Sequence, residues 1–270
     1  MNIRGNGPNL KTEPEETVLY RDHSLMDITQ PEAAALLATN PVVVIPTGSV
    51  EQHGPHLPFG TDYYAALLIA RHVAQALGAL LLPFTPLGVT PFHMSFTRTI
   101  TLSPETYMSL LTDVCESMVK HGARRFVVVN WHEGNTPSID LVAQRLQQKH
   151  PIRFFIVQAA YVAQELYGQQ VGLTHGGLLE ALAVLAYDPS LARLERGTNP
   201  SDPSQAGQMD LLRRRREAYA VIKDVSETSP TGWHGTLEGA SVEKAQAYAD
   251  AVCARVVEYV RQALQVLDGK

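Results

Sequence analysis

The feature that most constrains this chain is a rhythm: short apolar runs alternate with longer segments of helical pattern. "PVVVIPTG" (41–48), "ALLLPFTPLG" (79–88), "RRFVVVNWHEGN" (124–135) and "IRFFIVQAAY" (152–161) read as strands whose apolar stretches are continuous rather than alternating. A strand apolar on both sides must be covered on both sides, the situation of a parallel sheet between two helical layers. The intervening segments supply the helices. Residues 62–78 end at Gly78, and residues 103–122 begin with Ser103 at the N-cap and Pro104 at the first helical position. Further helical patterns cover 135–150, 176–189 and 241–267. The predicted fold class is α/β: a single-domain α/β/α sandwich with a mostly parallel central sheet. In such sheets ligands bind beyond the carboxyl ends of the strands.

The flanks of this pattern are less regular. Residues 1–24 are polar and dotted with Gly and Pro, and read as an N-terminal arm; residues 25–270 form the domain. "DITQPEAAALLATN" opens the domain as a helix capped by Thr29 or Asp27. Residues 190–240 are the least regular part, and "RGTNPSDPSQAGQ" reads as a surface loop that either shapes a pocket or is a plain excursion.

Charge and cysteine content narrow the classes of function. The net charge of −5 announces no basic face, so neither nucleic acid nor a membrane is an expected partner; a small-molecule substrate is. The first twenty residues lack the apolar core of a secretory signal, and no run reaches about 18 apolar residues, so the expected location is the cytoplasm. Cys115 and Cys253 are the only cysteines, both in helical segments and expected to be buried thiols; no Cys-x-x-Cys supports a thiolate metal site.

The chemistry-bearing residues gather where the fold puts a ligand. "TGSVEQHGPHLPFGTD" (47–62) follows the first strand, "NWHEGN" (130–135) follows the third, and "THGG" (174–177) opens the helix "LLEALAV". Three loops at one sheet edge thus deliver Glu51, His53, Asp62, His132, Glu133, His175 and Glu180. Imidazole and carboxylate are the usual ligands of Zn, Mn and Fe where thiolate is absent. Two ions about 3.5–4 Å apart need several such groups and a bridging carboxylate. In an extended segment Glu51 and His53 point to the same side. His23, His72, His121 and His150 read as ordinary surface histidines, and His56 as either a supporting group or a solvated one.

These stretches resemble the creatininase family, the creatinine amidohydrolase-like metal-dependent hydrolases. The likeness extends through "TPLGVTPFHMSFTRTITLSPETY" (85–107) and "GWHGTLEGASVEKAQAY" (232–248) and covers roughly residues 25–265. It implies an α/β sandwich with two divalent metal ions per subunit, Zn first, with Mn or Fe as alternatives. Carried over by motif, Glu51 and His132 would hold one ion, His53 and Glu180 the other, and Asp62 would bridge them. His175 would be the general acid/base. Glu133 is a second catalytic candidate, though a ligand or a salt-bridged rim residue fits it as well. The resemblance also implies a homo-oligomer, with a hexamer favoured.

The sequence departs from the family pattern at points that bear on substrate. Trp131 stands where the family has a small Gly, Phe92 where many relatives have Glu before His93, and Leu178 where many have an acidic residue. Gly134 occupies the position of a Glu ligand in the creatinine-hydrolysing branch, which makes Glu180 the expected ligand. Trp131, Phe92 and His93 are the substrate-contact candidates. The implied reaction is hydrolysis of the C–N bond of a small cyclic or acyclic amide, such as a creatinine-like lactam or a formamide, by a metal-bridging hydroxide. Two ions lower the pKa of the bridging water from 15.7 toward about 7. Ring opening of a cyclic ketone or lactone and hydrolysis of a modified peptide are the enzymatic alternatives. A metal-stabilised binding subunit is the non-enzymatic one.

Overall fold

Four strands form one sheet, β1 (Val42–Thr47), β2 (Leu80–Leu81), β3 (Arg125–Asn130) and β4 (Arg153–Gln158), in the order β2-β1-β3-β4 with every neighbouring pair parallel. The structure, a computed structural model, describes residues 23–171, 174–215 and 217–267. The arm expected over 1–24 lies outside the described residues apart from His23 and Ser24. His23 O accepts the Leu81 amide, so the chain enters the domain along the sheet edge.

The strands are buried on both faces, as their continuous apolar runs require. Val42, Val44, Val127 and Val129 face one core; Val43, Ile45, Phe126 and Val128 face the other. Helices α2 (Thr61–Leu77), α5 (Ala159–Val171), α6 (Leu178–Tyr187) and α8 (Val242–Leu267) close the first core. Helices α1 (Gln30–Thr39), α3 (Pro104–Lys120) and α4 (Thr136–Lys149) close the second. The expected caps are present: Ser103 Oγ accepts the Thr106 amide, and Gly78 ends α2 with φ of 59°. Both cysteines are buried, one in each core. Among the described residues no helix is long and apolar enough to cross a membrane.

Three expectations about elements need correcting. The run 79–88 contributes only two strand residues, because Pro83 and Pro86 lack the N–H a ladder needs. The fourth strand ends at Gln158, and the helix α5 starts at once at Ala159; no Gly or Pro marks the boundary in "VQAAYV". Inside the segment read as a loop, Pro203–Arg214 is a helix, α7, with Asp202 accepting the Ser204 amide at its N-cap.

The carboxyl edge of the sheet is tied by polar side chains in register. Thr47, Asn130 and Gln158 are cross-strand partners. Thr47 Oγ1 donates to Asn130 Oδ1 at 2.9 Å, and Asn130 Nδ2 donates to Gln158 Oε1 (2.9 Å) and to His132 O (2.7 Å). Asn135 donates to Gly48 O and accepts the Val89 amide, which fastens the loops after β1, β2 and β3 together.

Candidate metal centre

The sequence stretch after β1 brings Glu51 and His53 to this edge, and the first turn of α2 brings Asp62. His132 comes from the end of β3, His175 from the loop before α6, and Glu180 from the first turn of α6. All but His175, which is half-buried, are buried. Among the described residues, three sets of ligand atoms lie within 4.8 Å of one another: Glu51/Asp62/His132, His53/His175/Glu180 and Glu51/His93/His175.

Asp62 sits at the middle. Its Oδ1 is 3.1 Å from His53 Nε2 and its Oδ2 is 3.1 Å from His132 Nδ1. His132 Nδ1 is also 3.2 Å from Glu51 Oε2, and His53 Nε2 is 3.7 Å from Glu180 Oε2. Each of these two rings spends its other nitrogen on a main-chain carbonyl: His53 Nδ1 donates to Glu51 O (3.0 Å) and His132 Nε2 to Val89 O (3.1 Å). Those bonds leave His53 Nε2 and His132 Nδ1 aimed at the carboxylates, where each can hold either a proton or, through its lone pair, a cation. The carboxylates are oriented in turn: Thr90 Oγ1 donates to Glu51, Ser49 Oγ to Asp62 (2.8 Å) and the Gly176 amide to Glu180 (2.6 Å).

The electrostatics mark a site for positive charge. Burial opposes a charged ring at His53, yet the carboxylates of Asp62, Glu180 and Glu51 outweigh it and push the ring up to about 10. His132 is raised in the same way, against burial, by Glu51 and Asp62. Glu180 is pushed up to about 7, chiefly by burial, with the Asp62 and Glu51 charges adding and His53 opposing. Three buried carboxylates around lone-pair nitrogens already oriented by backbone carbonyls are a donor set that fits divalent cations.

His175 and His93 complete the cluster. His175 Nε2 donates to Gln52 O at 2.6 Å, which leaves Nδ1 as its lone-pair atom, 4.0 Å from Glu51 Oε1. Its ring stacks at a tilt between those of His53 and His93, with centroids 4.3 and 4.4 Å away. Burial, then His53 and His93, holds it well below the usual imidazole range. His93, expected at the substrate, is buried with Nε2 3.3 Å from Glu51 Oε1, while its Nδ1 meets Gln52 Nε2 at 3.2 Å. It therefore orients Glu51 as well as lining the pocket.

Glu133 is not brought into the cluster. It belongs to none of the ligand-capable sets, although it lines the pocket beside them, and it accepts from Arg214 Nε and Nη2, Arg213 Nη2 and Tyr161 Oη. Burial alone would raise its carboxyl, but the two guanidinium groups hold it down at about 2. A carboxylate so held anchors the two arginines and is poorly suited to carrying a proton, which argues against the catalytic role carried for it. Gly134 has a local reason to be glycine: a Cβ there would sit 2.3 Å from Val89 O and 2.5 Å from His132 Nε2, on the hydrogen bond that orients His132. His56 is buried, with Nε2 donating to Gly176 O at 2.7 Å, so it supports the His175 loop.

A pocket of about 220 Å³ opens over the cluster. Glu51, Asp62, His132, His175 and Glu180 line it, as do Phe92, His93 and Trp131. Glu133 lines it too, and sequence reading missed the charged groups beside it: Asp210, Arg213 and Arg214 from α7, and His234. "LLRRRREAY" (211–219) was the available signal, since four successive arginines are unusual for a plain loop. Their partner could not be read, because Glu133 lies about eighty residues earlier in the chain.

Residues 26–260 match the family model described as creatininase, creatinine amidohydrolase. The creatinine amidohydrolase of Pseudomonas putida is 30% identical over 183 residues, which are 60% of this chain and 70% of that protein. The mycofactocin precursor peptide peptidase of Mycobacterium tuberculosis is 38% identical over 117 residues, 40% of this chain and 46% of that one, so the match spans less than half of its length. A crystal structure of creatinine amidohydrolase shares the fold with a TM-score of 0.72 at 24% identity, covering 89% of this chain and 97% of that one.

Proposed function

This chain belongs to the creatininase family of metal-dependent amidohydrolases, and on that premise we propose that it hydrolyses the C–N bond of a small amide with two divalent cations held around Asp62. The observation that carries the reading is the symmetry about that carboxylate. One oxygen faces the lone pair of His53 beside Glu180, and the other faces the lone pair of His132 beside Glu51. Glu51 and His132 would hold one cation, His53 and Glu180 the other, and Asp62 both. Zn comes first and Mn second: the similar creatininase structures include a Zn–Zn type and an Mn form. Cations bound there supply Lewis-acid polarisation of the scissile carbonyl and acidify a water.

The rest of the work falls to the chain's own residues. Thr90, Ser49 and the Gly176 amide hold the three carboxylates against rotation. His175 keeps Nε2–H on Gln52 O, so Nδ1 is the atom that takes a proton from the attacking water and returns it to the leaving nitrogen. Trp131 and Phe92 supply apolar wall, and the end of α7, bound to Glu133 through Arg213 and Arg214, limits the space to a small substrate.

Elemental analysis and a product-resolved amide panel test this. Two ions per loaded chain and release of an amine or formate are expected. Asp62→Ala should lose at least one ion, with turnover near background. Two ions and normal turnover in that variant would overturn the assignment.

A further inference from the structure

In Glu51-Gln52-His53 the residue between the two metal-capable side chains has no part in the chemistry described so far. Gln52 is 6% exposed, and its polar groups are all engaged. Its amide donates to Thr99 Oγ1 (3.2 Å) and its carbonyl accepts from His175 Nε2 (2.6 Å). In the side chain, Oε1 accepts the Gly54 amide at 3.0 Å. That bond fixes which way the carboxamide faces, because a flipped group would set its NH2 against another N–H. Gly232, at φ of 83°, leaves the room: a Cβ there would sit 2.3 Å from Gln52 Oε1.

With Oε1 committed, Gln52 Nε2 faces His93 Nδ1 at 3.2 Å. It also lies 3.2 Å from His175 Nε2, whose proton is already given to Gln52 O. A carboxamide nitrogen only donates, so His93 Nδ1 is the acceptor and keeps its lone pair on that side. A charged ring would put N–H against N–H there. The single proton of the neutral ring is therefore on Nε2, 3.3 Å from Glu51 Oε1. This is the reverse of His53 and His132. Their far nitrogens meet carbonyl oxygens, Glu51 O and Val89 O, so the N–H goes there and the facing nitrogen stays open to a cation. His93 has a donor behind it, and a cation on its Nε2 would have to strip the ring of its last proton.

We propose that Gln52 is a positioning residue that fixes the His93 tautomer, making His93 a hydrogen-bond donor to Glu51 and barring it from binding a cation. The Glu51/His93/His175 set then holds no ion, although its ligand atoms, like those of the other two sets, lie within 4.8 Å of one another. The consequence for the metal rests on the two-cation reading; the tautomer does not.

Nitrogen NMR of the zinc-loaded protein, labelled at the histidine ring nitrogens and measured under magic-angle spinning, tests this whatever the size of the assembly. The His93 signals are identified by correlation to the backbone, or by their loss in His93→Leu. In the parent, His93 should show a bare Nδ1 and a protonated Nε2 with no zinc on it. Gln52→Glu exchanges the NH2 for an oxygen that accepts rather than donates, so the proton should move to Nδ1; a side chain that merely filled space would leave the proton where it was. Chelator competition reads the bond to Glu51: His93→Leu should hold one zinc about 10–100-fold more weakly. A protonated Nδ1 or a zinc-bound Nε2 in the parent, an unmoved proton in Gln52→Glu, or parental zinc affinity in His93→Leu would each overturn the proposal. The parent spectrum needs no substitution, so it decides the tautomer even where a variant fails to fold. A parent that takes up no zinc yet carries the proton on His93 Nε2 would sink the two-cation reading and keep the tautomer. Two bound zinc ions with the His93 proton on Nδ1 would do the opposite.

Discussion

Adding one methyl group at Gly134 should loosen the metal centre without removing any ligand. A Cβ there would meet Val89 O at 2.3 Å and His132 Nε2 at 2.5 Å, against ordinary carbon contacts of about 3.5–4 Å. The chain must yield by roughly 1 Å, and what stands in the way is the 3.1 Å hydrogen bond that sets the His132 tautomer. Overpacking of this kind costs about 1–3 kcal/mol. In a chain of this size that lowers Tm by about 2–12 °C, at roughly 2–4 °C per kcal/mol. Loss of a partner that orients a ligating histidine costs about 10–100-fold in metal affinity, or about 1.4–2.7 kcal/mol at 1.36 per decade. Chelator competition on Gly134→Ala measures the second quantity and scanning fluorimetry of the metal-depleted protein the first, neither needing a substrate. A Gly134→Ala protein with parental affinity would refute the argument that the Val89 carbonyl governs His132. The same geometry predicts that Gly134→Glu does not simply add a metal ligand, since its Cβ meets the same two atoms.

Other expectations follow from single contacts. His175→Asn should keep both ions and lower turnover by about 10²–10⁴; loss of an ion in elemental analysis would instead make His175 a ligand, as its place in two of the three ligand-capable sets allows. Glu180→Gln should deplete one ion, whereas Glu133→Gln, which releases Arg213 and Arg214, should weaken substrate binding more than metal content; the reverse stoichiometry would reject both roles. Burial pushes Cys115 and Cys253 up to about 12, so at pH 8 only about one thiol in 10⁴ is ionised; both should resist a disulfide reagent until the chain is unfolded, and labelling of the native protein within minutes would contradict their place in the cores. The homo-oligomer implied by the family resemblance, a hexamer, should appear in light scattering, where a monomer at micromolar concentration would count against it.

The sheet was legible in the chain because strands buried on both faces leave an unbroken apolar run, and because Ser103-Pro104 and Gly78 mark helix ends through local hydrogen bonding and φ. The gathering of Glu51, His53, Asp62, His132 and Glu180 was legible for a related reason: residues just beyond parallel strands share one edge whatever the details of the loops. The start of α5 was not, since an apolar strand running straight into an Ala-rich helix shows no change of composition at Gln158. Nor were the roles of Glu133 and α7. Adjacent residues separate to opposite sides, so His132 entered the cluster while Glu133 left it, and what Glu133 met depended on where residues 203–214 folded back. Tertiary structure alone decided that Arg213 and Arg214 line the pocket and that His93 braces Glu51. Such contacts join residues tens to more than a hundred positions apart, and sequence pattern carries information only over the few residues that share a turn or a strand.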